Sequence, residues 1–253
     1  MRKTIMATVA GLAFCGAAFA QVKVGTEISS IHYKEPGLME EKGTMYGVAG
    51  SYTIENRFIL RAEGRAAWGS VDYHNFEVGA PIFEPEGTME GIDDFIGEVR
   101  GLVGGGFVPW ATFYTGVGYR YLRDDQAGMA TSNGSLGYLR ESNYAYIPIG
   151  VRLRKSLGNG WSADLTPEID SLVWGKQVSH MDAIPGFEMV VNRQRSGHGV
   201  RASLDIIKET KAIKVSAGPF IRYWDIDKSD EHLGFVEPNN DSTEIGMNVS
   251  VIF

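Results

Sequence analysis

The sequence predicts an all-β fold: a transmembrane, antiparallel, up-and-down barrel of about ten strands, with both termini at the same end. Three observations predict it. Segment after segment alternates apolar and polar residues with period two, the repeat of a strand with two unlike faces. The connections between these segments alternate short and long. No stretch holds a sustained helical stripe, and beyond residue 20 no apolar run approaches the ~20 residues of a membrane helix.

The elements follow in order. Val22, Val24, Thr26 and Ile28 alternate with Lys23, Gly25 and Glu27. Tyr46, Val48, Gly50 and Tyr52 alternate with Gly47, Ala49 and Ser51. In "RFILRAEGRAAW", Phe58, Leu60, Ala62, Ala66 and Trp68 oppose Arg61, Glu63 and Arg65. Phe95, Val99 and Val103 oppose Glu98 and Arg100, and Phe113, Val117 and Tyr121 oppose Arg120. Ile147, Ile149 and Val151 oppose Arg152 and Arg154; Trp161, Leu165 and Ile169 oppose Asp164, Glu168 and Asp170. Val200, Leu204 and Ile206 oppose Arg201 and Asp205, and Val215, Ile221 and Tyr223 oppose Lys214 and Arg222. In "STEIGMNVSVIF", Thr243, Ile245, Met247, Val249, Val251 and Phe253 oppose Glu244, Asn248 and Ser250.

The short connections are "IEN", "GGGFVP", "SLGNG" and "KETK", which read as hairpin turns. The long ones run over about residues 34–43, 74–91, 124–138, 178–196 and 225–240. Long loops at one end and short turns at the other are the layout of a membrane barrel. A soluble β-sandwich also alternates, but its strands usually run ~5–6 residues, and nothing confines its long loops to one end. In lipid every backbone group must pair within the protein, so the sheet must close. Outward aromatics fall in two bands: Tyr52, Phe58, Phe107, Phe113, Trp161 and Phe253 near the short turns, and Tyr46, Trp68, Phe95, Tyr121 and Tyr223 near the long loops. Such bands mark the two membrane interfaces.

The first twenty residues read as a secretory signal peptide. Arg2 and Lys3 precede an apolar run, and Ala18 and Ala20 bracket the expected cleavage site. A lipoprotein signal at Cys15 is the alternative; the bulky Phe14 before it argues against that. The expected organisation is therefore a signal peptide, residues 1–20, and one barrel domain, residues 21–253. Cleavage would remove the one cysteine and leave 22 Lys+Arg against 31 Asp+Glu. An acidic exported chain repels phosphates, which excludes nucleic acid as a partner.

Signal, alternation, connections and the closing "VSVIF" together resemble Gram-negative outer-membrane β-barrel proteins, over essentially the whole chain after residue 20. The resemblance implies periplasmic termini and residence in the outer membrane. It implies outer-membrane lipid and lipopolysaccharide as surroundings, and periplasmic chaperones and the barrel-assembly machinery as partners in biogenesis. It also implies that Phe253, with Val251 and Val249, forms the assembly signal. A monomer is expected.

Fourteen charges fall on the inner face: Arg61, Glu63, Arg65, Glu98, Arg100, Arg120, Arg152, Asp164, Glu168, Asp170, Arg201, Asp205, Arg222 and Glu244. They form either the lining of a narrow channel or a salt-bridged plug. A ten-strand barrel is little wider than the eight-strand kind that side chains fill, so the plug is expected. The strand count also resembles the omptin proteases, which use an aspartate pair and an Asp–His pair on the rim. Candidate counterparts are Asp93 and Asp94, with Asp72 and His74 or His180 and Asp182. Here Asp93 and Asp94 are adjacent and residues 180–182 run His-x-Asp, whereas the family spaces the first pair by one and runs Asp-x-His. A Ser196–His198 pair for lipid chemistry is a further alternative. No cofactor or metal motif is found, although the acidic long loops suit Ca²⁺ or Mg²⁺. The expectation is a non-enzymatic structural or surface-interaction protein, with an omptin-like rim hydrolase second and a narrow channel third.

Overall fold

The computed structural model describes residues 19–55, 58–76 and 85–253. The expected signal peptide lies outside them, Cys15 and Ala18 included, except for Phe19 and Ala20, which open the first strand. The strands are β1 (Phe19–Glu35), β2 (Met39–Glu55), β3 (Ile59–Asn75), β4 (Gly87–Val108), β5 (Ala111–Asp125), β6 (Leu139–Gly158), β7 (Trp161–Ser179), β8 (Val190–Gln194), β9 (Gly197–Glu209), β10 (Lys214–Ile226) and β11 (Asn240–Ile252). Chain neighbours pair antiparallel along the whole series. β11 returns to β1, and β6 pairs with β7, which closes the ring of described strands. β8 and β9 are two lengths of one stave: β8 pairs with the upper end of β7, β9 with the rest, and Arg195 and Ser196 interrupt it. The described residues thus form a closed barrel of ten staves, the predicted fold.

The register sets the geometry. Following bonded partners from Ile31 through Glu244, Arg222, Arg201, Glu168, Gly150, Tyr114, Gly104, Ile59 and Glu55 returns to β1 at Phe19. The stagger is 31 minus 19, or 12 residues, which demands a strand tilt of roughly 40°. A level plane therefore drops or climbs by about one residue per stave, so residues far apart in sequence face one another across the lumen.

Three long connections differ from the expected lengths, and the one over residues 178–196 holds β8. Residues 34–43 read as a long loop, yet only Pro36, Gly37 and Leu38 turn there, with Gly37 at φ 79°. β4 likewise begins at Gly87, well before Phe95. Above the membrane neither face of a strand has to be apolar, so strand pairing continues where the hydrophobic signal stops. The turn between β6 and β7 holds Asn159 at φ 52° and Gly160 at φ 74°, the left-handed conformations that a two-residue hairpin requires.

The apolar face of every stave points outward and is exposed. Val99, Val117 and Ile169 are 59%, 66% and 61% exposed. A continuous belt of this kind would be a liability in water and is the surface a bilayer solvates. Val117 stands midway between the outward aromatics Phe113 and Tyr121 of β5. Val117→Arg is therefore expected to destabilise the folded barrel by about 2–4 kcal/mol. Urea titration of refolding into phospholipid vesicles measures this; a change under about 0.5 kcal/mol would put residue 117 outside the membrane core. At the short-turn end Phe253 exchanges two backbone hydrogen bonds with Val22, at 2.9 and 3.3 Å, beside the aromatic Tyr52.

Candidate functional site: the packed lumen and its two mouths

Alternation places every other residue of each stave inside, where charge is costly unless paired. The middle of the lumen meets this with two ion-pair clusters. Arg201 is the hub of the first. Its Nη1 and Nη2 donate to Glu98 at 3.1 and 2.9 Å, its Nε donates to Asp170 at 2.8 Å, and Glu168 lies 3.0 Å away. Arg100 donates to Glu168 at 2.5 and 3.0 Å and meets Glu63 at 2.8 Å. In the second cluster Arg65 and Arg222 share Glu27 and Glu244, and the Ser29 hydroxyl donates to Glu244 at 2.8 Å. Tyr146 and Tyr114 donate to Glu98 and Glu168 at 2.5 and 2.7 Å. Close approach to glycine makes room for these rings: a Cβ on Gly118 would lie 2.1 Å from the Tyr146 ring, and one on Gly150 would lie 2.3 Å from Tyr114.

Nearer the short turns the pairing thins. Arg152 and Arg154 both donate to Asp164, at 2.8 and 2.7 Å. Arg61 donates to Thr53 at 3.1 Å and reaches Glu63 at 3.3 Å, while Lys23 donates to Asp205 at 3.2 Å. Here the lumen opens into a cavity of about 250 Å³.

Nearer the long loops the interior changes character. Ile31, Met45, Ala67, Val71, Met89, Ile92 and Ile96 form one buried cluster, and Tyr144, Tyr146, Leu172, Trp224 and Ile226 a second; Leu122 packs against both. Trp224 meets Tyr146 edge-on at 5.0 Å, and Arg120 stacks over Trp224 at 5.6 Å. Met45, Ala67, Ile96, Leu122 and Trp224 are the chain neighbours of the outward aromatics Tyr46, Trp68, Phe95, Tyr121 and Tyr223. The apolar layer therefore stands at the height of the outer aromatic band. A salt-bridged plug, closed further by Tyr146 and Trp224, is the sequence expectation; the structure sets those two rings in an apolar storey above the ion pairs. Its signal was in the sequence, as paired apolar residues at the upper end of several strands.

Above that layer Arg140 Nη2 donates to Glu35 at 2.5 Å and to Glu237 at 2.8 Å, pinning the loop between β10 and β11 across the mouth. Gln126 donates to Glu41 and Asp124, at 2.9 and 3.0 Å. Glu237 is buried, and burial pushes its carboxyl up to about 7; neighbouring Glu35 adds to this and Arg140 opposes it. A raised carboxyl favours the closed loop while protonated, and that contribution is lost as pH climbs from about 4.5 through 7. Amide exchange of residues 228–238, corrected for its intrinsic pH dependence, is expected to quicken by about tenfold or more between pH 5 and pH 8. Glu237→Gln should flatten that dependence; an unchanged slope would remove Glu237 as its source.

The hydrolase candidates do not converge. Asp94 faces the lumen, whereas Asp93 is exposed on the outer face. Asp72 and His74 also lie outward; Asp72 accepts from the Gly91 amide at 3.0 Å, and His74 pairs with Glu86 at 2.7 Å. His180 pairs with Glu141 at 2.7 Å, and Glu141 accepts from Tyr121, an outward aromatic. Asp182 is exposed in a short 3₁₀ turn, Met181–Ala183. The sheet wall thus separates Asp94 from the imidazole of His74. His198 packs on Tyr223 at 6.5 Å, and the Ser196 carbonyl accepts from Asp227. Among the described residues no group of His, Cys, Asp and Glu is arranged to hold a metal ion.

No family model and no curated protein matches the chain by sequence. Among solved structures it is similar to the outer membrane protease OmpT of Escherichia coli, with a TM-score of 0.60 at 9% identity, over 96% of this chain and 98% of that one. It also aligns with Neisserial surface protein A (TM-score 0.36, 11% identity, 91% and 96% covered) and the translocator domain of the autotransporter NalP from Neisseria meningitidis (0.37, 15%, 92% and 88%). With the closed ten-stave barrel and its apolar belt, the first likeness defines the class: an outer-membrane β-barrel of omptin-like architecture. At 9% identity that likeness shows the fold and nothing of the chemistry.

Proposed function

We propose that the protein is a plugged, non-conducting outer-membrane barrel that acts through its extracellular rim, as a structural or surface-interaction protein without catalysis. One observation carries this reading. The lumen is filled twice over, by the Arg201 and Arg65 ion-pair clusters and by the apolar layer above them. A path for ions would have to break both. The partners in this reading are lipid and lipopolysaccharide around the belt, with chaperones and the assembly machinery during biogenesis. Every stave carries the apolar belt, which leaves the wall to lipid and favours a monomer. The test is conductance: purified protein in planar bilayers is expected to stay silent, and steady single-channel steps would favour the channel reading instead.

A further inference from the structure

We propose that the vestibule at the short-turn end is a binding site for a small polyanion, one that presents two adjacent oxyanion groups. Among the described residues the cavity wall holds eight Arg and Lys side chains against six Asp and Glu. The deeper arginines are matched, since Arg65, Arg100, Arg201 and Arg222 are held by the two buried clusters. The excess therefore gathers at the mouth, where Lys23, Arg61, Arg152 and Arg154 face only Asp164 and Asp205, apart from Glu63, which Arg100 already claims at 2.8 Å.

Geometry adds to charge. One carboxylate, Asp164, sits between two guanidinium groups, which leaves a unit of positive charge unmatched and N–H donors of both arginines unspent. Arg61 donates to a neutral hydroxyl, that of Thr53. The side chains of Arg61 and Arg152 are only 21% and 15% exposed, so they are held by the wall and partly shielded from water. A concave low-dielectric wall with an excess of one sign of charge at its mouth concentrates the opposite ion. Arginine forks bind carboxylate and phosphate oxygens by charge-assisted, paired hydrogen bonds. At about 250 Å³ the cavity is smaller than the roughly 300 Å³ at which drug-sized pockets begin, which limits the ligand to a small molecule. In barrels of this class the short-turn end faces the periplasm, so the ligand would come from that compartment.

The experiment uses the full barrel, refolded in a zwitterionic detergent free of phospholipid, so that the anion can come only from solution. Inorganic pyrophosphate is titrated by calorimetry at low ionic strength. One saturable site is expected, weakened by added salt. The double variant Arg152→Gln, Arg154→Gln should lose about tenfold or more in affinity. Asp164→Asn removes the competing carboxylate while keeping its shape, and should tighten binding by about tenfold. Heat-modifiable gel migration verifies that each variant is folded, and Asp164→Asn carries the test if the double variant is not. No saturation with wild type and Asp164→Asn overturns the proposal. So does an affinity that neither the arginine nor the Asp164 change moves.

Discussion

Replacing Arg201 with alanine is expected to destabilise the barrel by about 3–5 kcal/mol. The reason lies in what is left behind. Glu98, Glu168 and Asp170 all face Arg201 within 3.1 Å, and all three are buried. Tyr146 also loses a donor that lies 3.2 Å from its oxygen. Arg100 can still hold Glu168, but Asp170 and Glu98 would keep charge with too few donors. The measurement is urea-titrated refolding, with Arg201→Ala compared against Arg201→Ala, Glu98→Gln. Removing one stranded charge should recover part of the loss, and the double-mutant difference isolates the coupling. A loss below about 1 kcal/mol would mean that water, not protein, solvates this cluster.

The second large effect concerns permeation. Tyr146→Ala with Trp224→Ala removes two rings that pack edge-on across the lumen, where the ion-pair cluster meets the apolar layer. Each truncation alone is expected to cost about 3–5 kcal/mol, because the rings sit 1% and 3% exposed and their removal leaves cavities. In planar bilayers the wild type should be silent and the double variant should show discrete conductance steps. Gel migration must show the variant folded for the comparison to count. A silent, folded double variant would place the barrier in the cluster around Ile31, Met45 and Ile96 instead.

Much of the barrel was legible in the chain because lipid is an unforgiving solvent. Where a strand crosses the membrane, its outer residues must be apolar, and "RFILRAEGRAAW" displays that alternation without ambiguity. The stretch around Glu40, Glu41 and Lys42 reads as loop for the same reason. It lies past the aromatic Tyr46, where strand pairing continues but no bilayer writes a pattern into the sequence. Arg140, Glu35 and Glu237 leave no joint signature in the sequence because they come from three stretches that carry no apolar stripe. Glu27 sat visibly on the inner face of the first strand, yet its two arginine partners are 38 and 195 residues away.

The architecture can be read from the chain alone: a closed β-barrel, which face of each stave meets lipid, and which charges lie within. Those properties follow from one local rule, the period of two, and from the requirement that backbone groups in a membrane be paired. Which charge meets which is a property of the folded ring. The same ring places an apolar layer over the ion pairs, Asp94 and His74 on opposite faces of the wall, and spare arginines at one mouth. These depend on the 12-residue stagger, which brings distant residues to a common height, and the stagger is set by the hydrogen-bond register around the whole ring rather than by any segment of it.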